Sequence, residues 1–226
     1  MSKVRLTQNY LLVVAATLMI VAVAVNYSLN VAFNDPTTNQ SVETIATQKP
    51  EPTVEFETKK STFTSPLNQI DKRVAKKKFG TYVTPQNSPV SPEKFTGYHT
   101  GWDFEILVGE KDKDVAVVAF CDGKIVYKNS VSGYGGVLIQ RCTIDKQVIT
   151  VLYGHLRLSS IVKKIGDSLD HGSKIGLLGT GFTAETDGER KHLHFSLHRG
   201  TEINLKGYVS NKLQLIDWID PAKYLD

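Results

Sequence analysis

Glycine and histidine are absent from the first third of this sequence. The chain has 226 residues, with 17 glycines and six histidines, all at or after position 80. Glycine supplies the turns between the strands and helices of a folded domain. The sequence therefore predicts a turn-rich domain over residues 79–226, preceded by a region of a different kind.

Cysteine is scarce, and the domain has no excess of basic charge. Two cysteines are too few for a disulfide scaffold or a four-cysteine zinc module. Residues 80–226 contain 17 basic and 17 acidic residues, so the net charge of +4 comes entirely from residues 1–79. A neutral domain lacks the positive surface by which proteins bind nucleic acid. We therefore expect no nucleic-acid partner.

Charged residues are also missing between Arg5 and Asp35. The uncharged stretch Leu11–Phe33 has 23 residues, enough to cross about 30 Å of hydrocarbon as a helix. Because basic residues precede this stretch, the rest of the chain would lie outside the cytoplasm. Residues 1–34 are therefore predicted to be either an uncleaved membrane anchor or a cleaved signal peptide.

Large apolar residues are few in residues 35–78, which are rich in Thr, Pro, Glu and Lys. This composition buries too little apolar surface to offset the entropy of folding, so we expect a flexible linker. The linker ends in a cluster of five basic residues: Lys72, Arg73, Lys76, Lys77 and Lys78. A solvated linker end and a loose contact with an anionic envelope surface are both open interpretations of this cluster.

Long amphipathic helices are missing after Gly80, where no helical periodicity exceeds about two turns. Instead, short runs rich in Val, Ile, Leu and Tyr alternate with glycine turns. The predicted strands are Val115–Phe120, Lys124–Lys128, Val137–Cys142, Gln147–Tyr153, Lys174–Leu178 and Leu193–Leu197. The pattern predicts an all-β barrel or sandwich.

Histidines alternate with apolar residues in the run KHLHFSLH, residues 191–198. Because side chains alternate along a strand, the histidines and the serine share one face, and the leucines and the phenylalanine face the core. Neighbouring imidazoles on one face stand about 6.5–7 Å apart, so one can bind a metal while the other reaches its open position. His99 and Asp103, in YHTGWDF, are a second pair of candidate zinc ligands. His155 ends an apolar strand and is expected at a rim of the domain.

Taken in this order, these patterns resemble the LytM/lysostaphin-type zinc metallopeptidases, the peptidoglycan endopeptidase family. The family pattern is H-x₃-D, a strand end of the type Y-x-H-L, and H-x-H. It matches His99 with Asp103, then His155, then His192 with His194. Other segments of the sequence also resemble the family: AFCDGKIV, SGYGGVLIQ, KIGDSLDHGSKIGLLGTG and WIDPAKYL. The resemblance covers residues 79–225.

The resemblance implies a site, a cofactor and a fold. His99, Asp103 and His194 match the family's ligands for one Zn²⁺, while His155 and His192 match its catalytic histidines. Three protein ligands leave one zinc position open, as catalytic sites require. The implied fold is a compact antiparallel β-sheet architecture, a barrel–sandwich hybrid with a cleft across a sheet.

Four further side chains flank the implied site. Tyr98 and Trp102 would either line the cleft or pack in the core. Many family members read S-T-G-x-H-L-H-F-E, whereas a charged stretch, residues 185–191, precedes His192 here and Ser196 replaces the last Glu. Arg190 or Lys191 would pair with a carboxylate of a peptidoglycan stem, or the stretch is a solvated charged loop.

The remaining cysteines and histidines have simpler interpretations. Cys121 and Cys142 each end an apolar run, and outside the cytoplasm they would form a disulfide, with buried free thiols as the alternative. His171 lies in a predicted turn and His198 beyond the cleft, so structural roles are expected for both.

The sequence thus predicts a zinc endopeptidase that hydrolyses peptide bonds in peptidoglycan cross-links. The alternative is a catalytically silent module of the same fold that binds the wall or activates wall amidases. Peptidoglycan and, through residues 1–34, the membrane are the expected partners. The expected location is the bacterial cell envelope, with the domain outside the cytoplasm, or secretion if the segment is cleaved. The cleaved bond, the oligomeric state and the identity of the basic histidine are left open.

Overall fold

The computed structural model describes residues 63–225. The predicted anchor or signal segment, residues 1–34, and the first part of the predicted linker lie outside the described residues. Within residues 63–225 there is no helix with the length and apolar character that a membrane crossing requires.

Antiparallel strands make up the described fold. They are β1 (Ala75–Lys77), β2 (Tyr82–Val83), β3 (Gly97–His99), β4 (Trp102–Glu105), β5 (Ala116–Val118), β6 (Gly123–Val131), β7 (Gly135–Ile144), β8 (Gln147–Arg157), β9 (Ser168–Leu169), β10 (Lys174–Leu178), β11 (His192–Arg199), β12 (Tyr208–Val209) and β13 (Trp218–Ile219). The larger sheet runs β1-β4-β11-β8-β7-β6-β9, with β10 joining β8 to β5 and with β13 beside β11. A smaller sheet has the order β12-β3-β2.

The all-β prediction is confirmed for the described residues. Each of the six predicted strands overlaps an observed one, and all pairings are antiparallel. The helices of residues 63–225 are short 3₁₀ helices: Ile70–Lys72, Leu158–Ser160, Ala184–Thr186, Lys212–Asp217 and Pro221–Lys223. The strands β3 and β4, which carry the first candidate ligands, are too short to be read from periodicity.

The core lies on one face of the central strands β7, β8 and β11. Leu193, Phe195 and Leu197 of β11 point into it, as their alternation predicts. The histidine face of β11 is buried as well. It is covered by the segment after β11, where His198 Nε2 lies 3.2 Å from Asn204 Nδ2 and Thr150 Oγ1 donates to the carbonyl of Glu202 at 3.0 Å. Both faces of this strand are therefore shielded from solvent.

Residues 63–78, the last part of the predicted linker, are folded onto the domain. Phe63 stacks on Phe120 with ring centroids 5.6 Å apart, and Leu67 is buried in the core. β1 pairs with β4, placing Lys77 opposite Asp103. The expectation of a flexible, solvated linker is wrong for this stretch. Composition suggested it, and Lys72, Lys76 and Lys78 are indeed exposed. Arg73 and Lys77, however, are buried and pair with Glu110 and Glu93.

Arg73 anchors this stretch, and its side chain is fully buried. Its guanidinium donates to both carboxylate oxygens of Glu110, at 2.7 and 2.9 Å, and to the carbonyl of Glu105 at 3.2 Å. Replacing it by methionine leaves these acceptors without their donor, and removing one partner of a buried pair costs about 3 kcal/mol. We expect the Arg73→Met variant to lose about that much free energy of unfolding, measured by urea denaturation at pH 7.

The loss should depend on pH in a defined direction. The hydrogen bond from Arg73 lowers the pKa of Glu110, so the ionised carboxylate stabilises the fold above the unfolded pKa of about 4.3. This contribution disappears as the pH falls through the lower folded pKa, and the difference between variant and wild type should shrink there. Lys72→Met, an exposed neighbour, is the control and should change little. Equal stability of the Arg73 variant and wild type would contradict the anchoring role.

Cys121 and Cys142 form a disulfide across a sequence separation of 21 residues. Cys142 lies on β7 opposite Gly123, the first residue of β6, so the bond ties the start of β6 to the end of β7. Both cysteines belong to the main core. The bond therefore lies within the sheet rather than in a surface loop.

Candidate metal centre and active site

Three strands bring the first candidate ligands together. Within the larger sheet, His194 of β11 pairs with Asp103 of β4 on one side and with Gly154 of β8 on the other. His99 ends β3 of the smaller sheet and reaches the same point because Gly101 makes a tight connection to β4. A side chain at Gly101 would collide with the backbone of Phe195.

The three donor atoms lie close enough to share one ion. Asp103 Oδ1 is 3.2 Å from His99 Nε2 and 3.0 Å from His194 Nδ1, and the two nitrogens are 3.1 Å apart. Ligands about 2.0–2.2 Å from a tetrahedral zinc ion stand about 3.3–3.6 Å apart. The donors therefore fit a zinc ion with small adjustments, and they leave a fourth position open.

Asp103 is kept ionised by its surroundings. Burial alone would raise its pKa, but the charges of His99 and His192 and the hydrogen bonds from His192 and His194 hold that pKa well below its usual range. Its second oxygen, Oδ2, also contacts two basic side chains, Lys77 through Nζ at 3.3 Å and Arg190 through a terminal nitrogen at 3.3 Å. The carboxylate is therefore available as an anionic ligand at neutral pH.

Burial favours the neutral, metal-binding form of two imidazoles of the site, His194 and His155. Burial lowers the pKa of His194 to about 4. Burial also lowers the pKa of His155 well below its usual value, and the charge of His192 adds to the effect. A neutral imidazole carries the lone pair that a metal ion or a proton requires.

The two predicted catalytic histidines stand side by side next to the ligands. The rings of His155 and His192 have centroids 4.2 Å apart. His192 Nδ1 donates to the carbonyl of Arg190 at 2.8 Å, so Nε2 is the ring nitrogen left for a second partner. That nitrogen lies 3.4 Å from Asp103 Oδ2. In the described part of the chain, His155 Nδ1 is buried without a hydrogen-bond partner.

A β-bulge aims His155 at this site. On β7, Gly136 and Val137 are consecutive, but on β8 they pair with Leu156 and Gly154, so His155 is an extra residue. Its backbone is left-handed, with φ of 63°. That conformation costs about 1–2 kcal/mol for a residue with a Cβ. The fold thus tolerates local strain at the position where the imidazole enters the site.

The comparison with known families classifies the stretch of the chain that contains these side chains. The sequence profile of peptidase family M23 matches residues 97–205, the stretch that contains all five of these side chains. Residues 97–205 are a LytM-type domain of peptidase family M23.

Several solved structures are similar to this M23 domain. LytU is 22% identical with a TM-score of 0.45, and the match covers 67% of this chain and 85% of that one. A chain of the SpoIIQ–SpoIIIAH pore-forming complex is 17% identical with a TM-score of 0.47, covering 73% and 91%. A zinc-containing peptidase from Vibrio cholerae is 21% identical with a TM-score of 0.40, covering 65% and 41%. No curated protein matches the chain.

A cavity of about 220 Å³ opens beside the ligands of the M23 domain. Asp103, His194, His155 and His192 line it. Its other walls contain residues that the sequence did not assign to the site: Lys77, Phe95, Tyr134, Glu189 and Tyr208. These side chains come from five separate segments, so no local motif could have indicated them.

The aromatic neighbours of the first ligand do not line this cavity. Tyr98 packs in the cluster of Val209, Leu215 and Trp218. Trp102 donates its indole N–H to Asp220 at 2.9 Å and packs against the main core. Of the two interpretations that the sequence allowed, core packing describes both residues.

Arg190 and Lys191 support the site rather than forming a solvated loop. Arg190 donates to Glu105 at 2.8 Å and to Asp103 at 3.3 Å, behind the metal ligand. Lys191 is buried, and its ammonium donates to backbone carbonyls of residues 110, 111 and 113. Both side chains thus have partners within the domain, but Arg190 Nη1 is buried without a hydrogen-bond partner among the described residues, and the suggested pairing with a substrate carboxylate stays a prediction. Partners so distant in sequence could not be read from the motif.

The two remaining histidines lie outside the cavity. His171 Nδ1 lies 2.7 Å from a carboxylate oxygen of Asp122. His198 packs edge-on against Trp218, with centroids 4.8 Å apart. Both positions agree with the structural roles expected for these residues.

Proposed function

We propose that the chain is a zinc-dependent endopeptidase that hydrolyses peptide bonds in peptidoglycan cross-links. The main support is the arrangement of five side chains. His99, Asp103 and His194 have the spacing of ion ligands, and the imidazoles of His155 and His192 lie in the cavity beside them. The match of residues 97–205 to peptidase family M23 also supports peptide-bond hydrolysis.

A zinc ion at His99, Asp103 and His194 would supply an electrophile and lower the pKa of a water molecule toward about 7. The chain's own contribution is in the adjacent imidazoles. His155 and His192 line the cavity side by side, where one of them would accept the proton of the attacking water and return it to the leaving amine. Arg190 and Lys77 keep Asp103 ionised and correctly oriented.

We also propose that the protein acts in the bacterial cell envelope. Residues 1–34 would hold it at the membrane as an anchor or export it as a signal peptide. The disulfide between Cys121 and Cys142 agrees with a location outside the cytoplasm. Peptidoglycan would be its macromolecular partner there.

Digestion of purified sacculi tests the reaction. The full-length chain is incubated with sacculi alone, with EDTA, and with EDTA followed by zinc, and the released muropeptides are identified by mass spectrometry. We expect cross-linked species to be cut in the first and third samples and to stay intact in the second. One zinc per chain without any new product would favour the silent wall-binding module instead.

A further inference from the structure

Tyr208 reaches the active-site cavity from a segment unrelated to the sequence motifs. It lies on β12, where it pairs with the metal-ligand candidate His99. Its ring is held between two others, stacked on Phe95 at a centroid distance of 5.3 Å and lying 5.1 Å from the ring of His99. The same cavity is lined by Tyr208 and by both catalytic histidines.

The hydroxyl of Tyr208 is held by a buried lysine. Lys77 Nζ lies 2.6 Å from this hydroxyl, 3.2 Å from Glu93 and 3.3 Å from Asp103. An ammonium group has donors and no acceptor; it donates to Tyr208 and Glu93 and forms an ion pair with Asp103. These contacts let Lys77 position both Asp103 and Tyr208.

This arrangement leaves one donor unused. Because Lys77 can only donate, the oxygen of Tyr208 is the acceptor in their contact, and the phenolic hydrogen stays free. None of the hydrogen bonds within residues 63–225 uses that hydrogen. A phenol has an ordinary pKa of about 10, so the hydroxyl keeps its proton at neutral pH. Tyr208 is half-buried at the cavity wall, where this unused donor can bind a ligand that supplies an acceptor.

We propose that Tyr208 is a further catalytic residue, whose hydroxyl donates a hydrogen bond to the carbonyl oxygen of the peptide bond being cleaved. The inference rests on the proposed peptidase function. When the water oxygen bonds to the carbonyl carbon, the C=O π pair moves to the oxygen and the water's proton passes to an imidazole. The C–N bond then breaks, and the proton goes to the leaving amine. Tyr208 would stabilise the oxyanion between these two events.

Tyr208→Phe removes this donor and keeps the ring. Loss of one oxyanion donor lowers kcat by about 10²-fold or more. We expect such a fall in kcat on wall peptides, with KM, zinc content and melting temperature nearly unchanged. Tyr82→Phe is the matched control, because Tyr82 lies in the same small sheet, is 45% exposed and loses the same hydroxyl. A Tyr208 variant as active as this control would overturn the inference.

A binding measurement separates this inference from the proposed function. A peptide phosphinate has tetrahedral anionic oxygens that resemble the intermediate, and its affinity for the zinc-loaded chain is measured by calorimetry. Loss of a hydrogen bond to a charged group should weaken binding by about 10-fold or more in Tyr208→Phe and leave Tyr82→Phe unchanged. If Tyr208→Phe binds the phosphinate as tightly as the wild type does, and the wild type cuts sacculi, only the proposed role of Tyr208 is refuted. If Tyr208→Phe binds the phosphinate more weakly but the wild type does not cut sacculi, the hydrogen-bond donor is supported and wall hydrolysis is refuted.

Discussion

Replacement of His194 by alanine should remove the bound metal and the hydrolysis of wall peptides together. His194 supplies one of three donors, and its strand pairs directly with the strand of Asp103. The two remaining ligands cannot hold a catalytic ion, so zinc content should fall from about one per chain to near zero. Activity should fall by more than about 10³-fold. Atomic absorption of the dialysed protein and muropeptide analysis measure the two effects.

Thermal unfolding gives an independent view of the same change. Zinc at 100 times its dissociation constant stabilises a binding fold by about 2.7 kcal/mol. Wild type should therefore melt at a higher temperature with zinc than with EDTA, whereas His194→Ala should melt at the same temperature in both. His171→Ala, which changes a histidine outside the cavity, is the control and should behave as wild type. Stoichiometric zinc in active His194→Ala protein would contradict the assignment of this ligand.

The second large effect is expected at His155, where two substitutions should differ in stability but lose activity alike. Its left-handed backbone, with φ of 63°, favours glycine over any residue with a Cβ. We expect His155→Gly to have a free energy of unfolding about 1 kcal/mol greater than His155→Ala. Both variants should lose more than about 10²-fold in kcat, because each lacks the imidazole. Urea denaturation and sacculus digestion measure these quantities.

The same pair of substitutions at His192 is the control. His192 lies in β11 and has no left-handed backbone. Glycine within a strand is less stable than alanine by about 0.5–1 kcal/mol, so the order of the two variants should reverse. If alanine is the more stable residue at both positions, the strain that we attribute to the bulge is absent.

The sequence predicted the central strands, and its motifs named five side chains that lie close together in the structure. In β11, strict alternation places the histidines on one face and the leucines and the phenylalanine on the other, and the structure has the same two faces. The resemblance of the motifs then grouped His99, Asp103 and His194, which the structure brings within one ion's reach. Neither inference needed knowledge of long-range contacts.

What the sequence did not predict depends on partners that are distant along the chain. Arg73 and Lys77 read as solvated charges, yet they pair with Glu110 and Glu93. Tyr208 lies in a polar stretch without periodicity, and only the pairing of β12 with β3 brings it to the cavity. A basic side chain can be buried when an acidic side chain pairs with it, and local composition does not reveal an acidic partner that is distant in sequence.

The docking of β1 onto β4 has a practical consequence for protein engineering. A fragment designed from the family match would begin at residue 97 and discard Arg73 and Lys77. The edge of β4 beside Asp103 would then lose its hydrogen-bonded neighbour, and Glu110 would lose its guanidinium partner. A recombinant fragment intended for crystallography or enzymology should therefore start upstream of Phe63.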